Sequence, residues 1–392
     1  MGDRSLNSVS NYTVVGTSVG ALAVAAELAL KGRSVTLSAR PQDVPALERL
    51  AARPSLHVLN EASNWGTRTG SFDLKGIVYQ PDLRDAITGA DAIVLMMPPN
   101  FHDEVLAPCA DLLRNDQAIL LCPGGLGGAL LISRLAAAHS APDILVAQVS
   151  SMPHVAHTLP DDGIRVTASK KTLPIGVFPA LRTQEFLDRF AADFPSFSAS
   201  ANVIENGLST AALGLHPAPM IMNATQIEQK GPYVYDGYDI TPAIARVIEA
   251  VDAERQEILR TIGGRAYSFA DSLIEAYGVT GANLYEVVHN VGGYKQAMSP
   301  PDLDYRYLSE DIPTQAVPAA LLARALGLAT PMLDALVSFA NAIHGTDHWK
   351  DGWTLERLGL SGLDPIEIIE FVRTGKRTAI PQLPGTRSGA QA

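Results

Sequence analysis

VVGTSVGALAVAAELALKGRSVTLSAR, residues 14–40, decides how the first half of this chain is read. Two β-branched residues lead into a glycine-rich turn, a long apolar run follows, and KGRSV opens a second extended stretch. Strand, turn, helix and strand in that order form the opening of a dinucleotide-binding domain. Its turn needs a sharp bend, a close backbone approach to pyrophosphate and tight packing of helix on strand, which G-x-G-x-x-G/A supplies. Gly16, Ser18 and Ala21 take those places, with Val19 and Gly20 between the last two. Ala21 is an accepted variant. Ser18 departs from glycine, fits if its backbone angles allow, and brings a hydroxyl that could donate to a phosphate. The following helix adds free N–H groups and a partial positive charge.

The end of the second strand selects the cofactor. An Asp or Glu there binds the ribose 2′-hydroxyl of NAD, whereas NADP needs that carboxylate gone and a cation nearby. This chain offers Ser38, Ala39 and Arg40, with no carboxylate closer than Asp43. Arg40 could hold a 2′-phosphate with its planar fork and Ser38 could add a hydroxyl, so NADP(H) is favoured over NAD(H).

Working outward, short β-branched runs at 13–15, 34–37, 92–96, 118–121, 144–148 and 172–177 alternate with helical patterns, the rhythm of βαβ units and a parallel sheet. Several end in loops rich in small residues: MMPPN with Pro98, PGGLGG with Gly124 and Gly125, and SSMPH at 150–154. In an open parallel sheet such loops gather where ligands bind, so Pro98, Gly124 and Gly125 join the expected cofactor-binding residues. The N–H groups of PGGLGG could face the nicotinamide ribose or a substrate carboxylate.

After about Asn206 long amphipathic patterns replace the strands. The expected fold is therefore an α/β N-terminal Rossmann-type doubly wound sheet followed by an all-α C-terminal domain. The boundaries are a flexible tail at 1–10, the dinucleotide-binding domain at 11–204, the helical domain at 205–383 and a second flexible tail at 384–392.

A net charge of −11 disfavours phosphate-backbone binding, so no nucleic-acid partner is expected. Two cysteines, Cys109 and Cys122, and no apolar leader or span point to a reducing cytoplasm without a membrane partner. The expected partners are small molecules, with a homodimer through the helical domain as a prior.

The helical half opens with NGLSTAALGLHPAPMIMNAT, where His216 precedes Pro217, and later carries DYRYLSEDIPTQAVP, where Arg306, Glu310 and Asp311 cluster. Taken singly, a packed histidine and a capped, solvated charge cluster explain both. Together with the nucleotide turn and YVYDGYDITPAIARVIEAVDAER, however, these segments resemble the octopine/nopaline (opine) dehydrogenase family, from about Thr13 to Gly362 and in the same order. The resemblance implies reductive joining of an amino acid or amine to a 2-oxo acid through an imine. It implies His216 as general acid/base, Asp311 as its partner and Arg306 as the ligand of a substrate carboxylate. Asn223, Tyr233, Tyr235 and Tyr238 follow as candidate substrate contacts. These residue types suit the chemistry: histidine, with an unperturbed pKa of about 6.5, exchanges protons near neutral pH. An aspartate fixes the imidazole tautomer, and an arginine grips a carboxylate with two N–H groups.

Ser18 and Arg40 depart from the intact fingerprint and NAD use of many members of that family. Two alternatives stand beside it: a ketopantoate-reductase-like reductase of a C=O bond, and a non-catalytic NADP-binding sensor. The first usually relies on a lysine, and LHPAPMIMNAT has none. His344 and His348, four apart, and His154 and His157, three apart, lack the surrounding array of familiar zinc spacing, so no metal is expected.

Overall fold

The computed structural model describes residues 9–62, 69–161, 163–295 and 297–377. Apart from residues 9 and 10, both expected tails lie outside the described residues. Among the described residues the strands are β1 (Asn11–Val15), β2 (Ser34–Ser38), β3 (Leu56–Asn60), β4 (Gly70–Leu74), β5 (Val78–Tyr79), β6 (Ala92–Leu95), β7 (Ala118–Leu121), β8 (Leu145–Val149), β9 (His154–Thr158), β10 (Ile164–Ser169), β11 (Leu173–Phe178) and β12 (Phe197–Ala199). Eight form one sheet in the order β12, β11, β8, β7, β6, β1, β2, β5. Every residue of β6, β7 and β8 is buried, as expected of central parallel strands covered on both faces.

All six anticipated strands are present, with two corrections to the architecture. First, β11 runs antiparallel to β8. A parallel return needs a crossover, and between these strands the chain makes only the antiparallel pair β9 and β10. Second, β4, β3, β10 and β9 form a separate four-stranded sheet that the strand rhythm did not reveal. Helix α1 (Val19–Leu30) lies between the two sheets, touching β1 and β2 on one side and β9 and β10 on the other. Residues 20–28 are accordingly all buried, including Glu27, whose carboxylate meets His154 at 2.9 Å and Lys31 at 2.9 Å.

Helix α2 (Gly128–Ala138) follows β7. Beyond β12 the described chain is helical: α3 (Pro217–Met222), α4 (Pro242–Thr261), α5 (Arg306–Ser309), α6 (Val317–Ala325) and α7 (Pro331–His344) frame the site. Thr241 caps α4 by accepting from the Ile244 N–H at 3.3 Å, and Pro242 occupies the first turn, where no N–H is needed. The stripe Ile244, Ile248, Val251, Arg255, Ile258 buries α4 against α3, α6 and α7. The halves are tied together where Trp353, 1% exposed, lies against Gly125 and Gly128, and where Arg357 pairs with Asp103 at 2.6 Å. Among the described residues no helix is long and apolar enough to cross a membrane.

Candidate active site

The sheet reverses direction of winding between β1 and β6, so the loops after these strands bound the crevice where ligands bind in this architecture. Gly16 ends β1 with φ +145°, and a Cβ there would lie 2.5 Å from the Met96 carbonyl oxygen. Only glycine fits. Ser18 sits at φ −66° and ψ 157°, ordinary extended backbone, and its Oγ accepts from the Ala21 N–H at 3.3 Å. The residue that breaks the fingerprint is thus the N-cap of α1. Gly20 faces Met152, whose methyl would be 2.3 Å from an added Cβ. Met152, from the SSMPH loop, therefore overlies the turn.

At the end of β2 the Arg40 guanidinium stacks 4.2 Å above the Phe101 ring, and its Nε donates to Asp43 at 2.6 Å. Its Nη1 is buried without a hydrogen-bond partner, as is the Oγ of Ser38. Buried donors in native proteins almost always find acceptors. Two such atoms occur within three residues at this strand end. Pro98 opens the short turn Pro99–Phe101 that presents the Phe101 platform.

PGGLGG packs closely against protein side chains. A Cβ on Gly124 would lie 2.3 Å from Gln148 Cβ, and one on Gly125 2.8 Å from the Trp353 ring. Its glycines make room for protein side chains. The Leu126 N–H donates to Thr314 at 3.0 Å, and the Ala129 N–H to the Gln148 side chain at 3.0 Å. The Leu126 amide thereby ties the two halves together, and the Ala129 amide, just after the loop, is bonded within the first half.

His216 stands where one helix ends and α3 begins. Pro217 has no N–H to continue the first helix, so the chain turns and displays the imidazole at the break. Its Nδ1–H donates to Asp311 Oδ2 at 2.7 Å; the histidine side chain is 17% exposed and the aspartate 4%. On α5 and the residues after it, positions 307 and 311 share one face and 306 and 310 the next. Tyr307 therefore stacks on His216, with centroids 3.8 Å apart and planes at 12°, on the same side as Asp311. Arg306, 47% exposed, reaches Glu310 at 3.1 Å, which is 5% exposed. Burial and the neighbouring Asp311 push the Glu310 carboxyl up to about 7 against the pull of Arg306. Burial opposes the Arg306 charge, but Glu310 and Asp311 outweigh it and hold its pKa above the ordinary value. A π-helical turn, Ile312–Ala316, follows Asp311. Such turns interrupt helices at functional sites.

Asn223 is 6% exposed and its amide donates to Pro219 O at 2.9 Å and Asp239 O at 3.3 Å. Tyr235 is 1% exposed and has Asn223 as a hydrogen-bonding neighbour. Both side chains are thus buried and hydrogen-bonded within the protein. Tyr233 is partly exposed and donates to Asp239 Oδ2 at 2.7 Å, with Asp239 held at φ +49°. The side chain of Tyr238 lies outside the described residues. His344 and His348 hydrogen-bond each other at 3.0 Å, and no group of three metal-ligating side chains occurs among the described residues. Burial pushes the Cys122 thiol up to about 12, so it stays protonated. Tyr307, Phe101 and Met152 were not singled out from the sequence, and Glu310 was read only as part of a solvated charge cluster. The i,i+4 spacing of 307 with 311 and 306 with 310 was the available signal for Tyr307 and Glu310.

A nucleotide crevice facing a helical unit that carries a histidine, a carboxylate partner and an exposed arginine defines a two-domain nicotinamide-dependent oxidoreductase. The family model described as NAD/NADP octopine/nopaline dehydrogenase, alpha-helical domain, matches residues 199–344. An opine dehydrogenase from Arthrobacter sp. (strain 1C) is 32% identical over 352 residues, 90% of this chain and 96% of that one. Octopine dehydrogenase solved with NADH and L-arginine has a TM-score of 0.75 at 18% identity, over 94% of this chain and 99% of the other. Yersinopine dehydrogenase with NADP+ bound has a TM-score of 0.69 at 15% identity, over 93% and 98%. The chain belongs to the opine dehydrogenase family and is an NAD(P)-dependent oxidoreductase acting on CH–NH donors.

Proposed function

We propose that the enzyme joins an amino acid or amine to a 2-oxo acid, His216 acting as general acid/base, Asp311 orienting it and Arg306 gripping a substrate carboxylate. The observation that carries this reading is the 2.7 Å bond from His216 Nδ1–H to a nearly buried Asp311, one face away from an arginine that still reaches the cleft. With Nδ1 committed to Asp311, Nε2 is the nitrogen that exchanges a proton at the carbonyl-derived centre. Tyr307 fixes the ring plane from one side. Arg306 binds the oxo acid through two N–H groups, placing its carbon opposite the crevice. Asn223 and Tyr235 hold the wall behind this pair, and Tyr233, the more exposed ring, lines the amine side. When bound, the nicotinamide supplies a hydride to the imine carbon.

For the cofactor, Gly16, Ser18, Val19, Gly20 and Ala21 would receive the pyrophosphate. Arg40 and Ser38 would receive the 2′-phosphate of NADP(H), which supplies the acceptors their buried donors lack. Asp43 holds the guanidinium by Nε and leaves the Nη edge for that phosphate. Pro98 sets the Phe101 platform beside it. The test is coenzyme consumption with 2-oxo acids and amines, separately and together, for wild type and His216→Asn. Consumption only with both partners, lost in the variant, is expected; consumption with an oxo acid alone at the same rate would refute the reading.

A further inference from the structure

We propose that Glu310 is a positioning residue that holds Arg306 in the empty site and takes up a proton when a substrate carboxylate binds to that arginine. The inference rests on the assignment of Arg306 as the carboxylate ligand.

The geometry sets up a competition. Glu310 is 5% exposed and lies 3.1 Å from the Arg306 Nε, while Arg306 is 47% exposed. The arginine thus faces the buried acid with Nε and, at 3.5 Å, Nη2, while nearly half of its side chain stays exposed. Glu310 is adjacent in sequence to Asp311, which is itself committed to His216 at 2.7 Å. In the empty site two carboxylates share one guanidinium and one imidazole. A bound oxo acid adds a third negative charge next to the same guanidinium. A carboxylate this buried keeps its charge only while a cation faces it, so weakening its hold on Arg306 favours the neutral acid.

Among the described residues of the surrounding elements, no other cation acts on Glu310. Helix α3 brings His216, which Asp311 already engages. Helix α6 brings Arg324 and α7 brings Asp334, paired to each other at 2.9 Å. His344 of α7 bonds His348 of the short helix His348–Asp351, which also carries Lys350 and Asp351. The turn Pro99–Phe101 carries no titratable group. Of all these charges, Asp311 and Arg306 are the two that act on the Glu310 carboxyl, and burial already leaves it poised near neutrality.

The sign follows. Substrate binding that takes up a proton weakens as pH rises above the pKa of the group in the free enzyme. Pyruvate affinity should fall by up to about tenfold per pH unit above about pH 7, with kcat changing less.

The experiment is calorimetric titration of pyruvate into the NADPH-saturated enzyme without amine, at pH 8 in buffers of different ionisation heat. The buffer dependence counts protons. Wild type is expected to take up roughly half a proton or more per pyruvate, and Glu310→Gln essentially none, with affinity independent of pH. A merely structural glutamate would not change the proton count. Pyruvate binding to wild type without proton uptake would overturn the proposal while leaving Arg306 as the ligand. Unchanged uptake in Glu310→Gln would overturn it by placing the proton elsewhere, on His216 first. If neither pyruvate nor longer 2-oxo acids bind, the assignment of Arg306 fails and the proposal with it. Should Glu310→Gln not fold, His216→Asn decides instead: uptake retained in that variant is expected, and uptake lost with it would place the proton on His216 and overturn the proposal.

Discussion

Replacing Asp311 by asparagine removes one charge at nearly constant volume. The carboxylate is 4% exposed and accepts from His216 Nδ1–H at 2.7 Å. As the imidazole takes a proton from substrate, in the oxidative direction, its developing charge is centred about 4 Å from the carboxylate, an attraction of about 4 kcal/mol at an effective dielectric of about 20. The asparagine carbonyl keeps a neutral hydrogen bond, and water at the exposed edge of the ring screens part of the rest. A net loss of about 3 kcal/mol remains, roughly a hundredfold in kcat. The assay is NAD(P)+ reduction with the enzyme's own condensation product at saturating concentration, with cofactor Kd and Tm as controls. The expected result is that hundredfold fall with cofactor binding intact. A fall below about fivefold with folding intact would show that Asp311 neither orients His216 nor balances its charge, and the catalytic assignment would collapse.

Four further outcomes are expected. Tyr307→Leu should lower kcat/KM by roughly two- to tenfold through loss of the ring stack on His216, whereas Tyr307→Phe should stay near wild type; equal losses would deny the stacking role. Arg40→Ala should weaken NADPH binding at least about tenfold while changing NADH little, read by titration of coenzyme fluorescence; an equal effect on both would remove Arg40 from the 2′-phosphate. Gly16→Ala should lower Tm and abolish cofactor binding, because its φ of +145° and the 2.5 Å approach to Met96 O leave no room for a Cβ; wild-type binding would contradict this. Burial lowers the His102 pKa to about 4, opposed by its hydrogen bond to the Met97 carbonyl. A histidine pKa lowered by folding gives stability that is complete above the unfolded value of about 6.5 and is lost as pH falls toward 4. Tm should therefore drop between pH 6.5 and 4, and drop less in His102→Asn.

Much of this was legible in the chain because local rules carried it. The Gly16 turn, the strand ends and the amphipathic stripe of α4 follow from periodicity and turn chemistry. The second sheet was missed because β4 and β9 are largely exposed and β3 and β10 alternate apolar with partly exposed residues, in stretches that read as loops. A clue lay in α1: GALAVAAEL has no polar face, and a helix apolar all round must be covered on both sides. Glu27 within it required a partner, which turned out to be His154. His216 and Asp311 are 95 residues apart, so only the resemblance, not spacing, joined them before the fold did. Glycines in PGGLGG suggested a ligand cradle; a glycine also leaves room for any close neighbour, and Gln148 and Trp353 take that room at Gly124 and Gly125. Glu310 read as part of a solvated cluster because burial cannot be seen in SED.

The central claim is that this site makes a C–N bond, and product identity tests it most directly. Purified enzyme is incubated with NADPH, a carbon-13-labelled 2-oxo acid and an amino-acid mixture, and the products are resolved by mass spectrometry. The account predicts a labelled secondary amine whose mass is the sum of both partners less one oxygen, absent when either partner is omitted and absent with His216→Asn. A labelled 2-hydroxy acid as the sole reduced product, formed equally well without the amino acids, would contradict it.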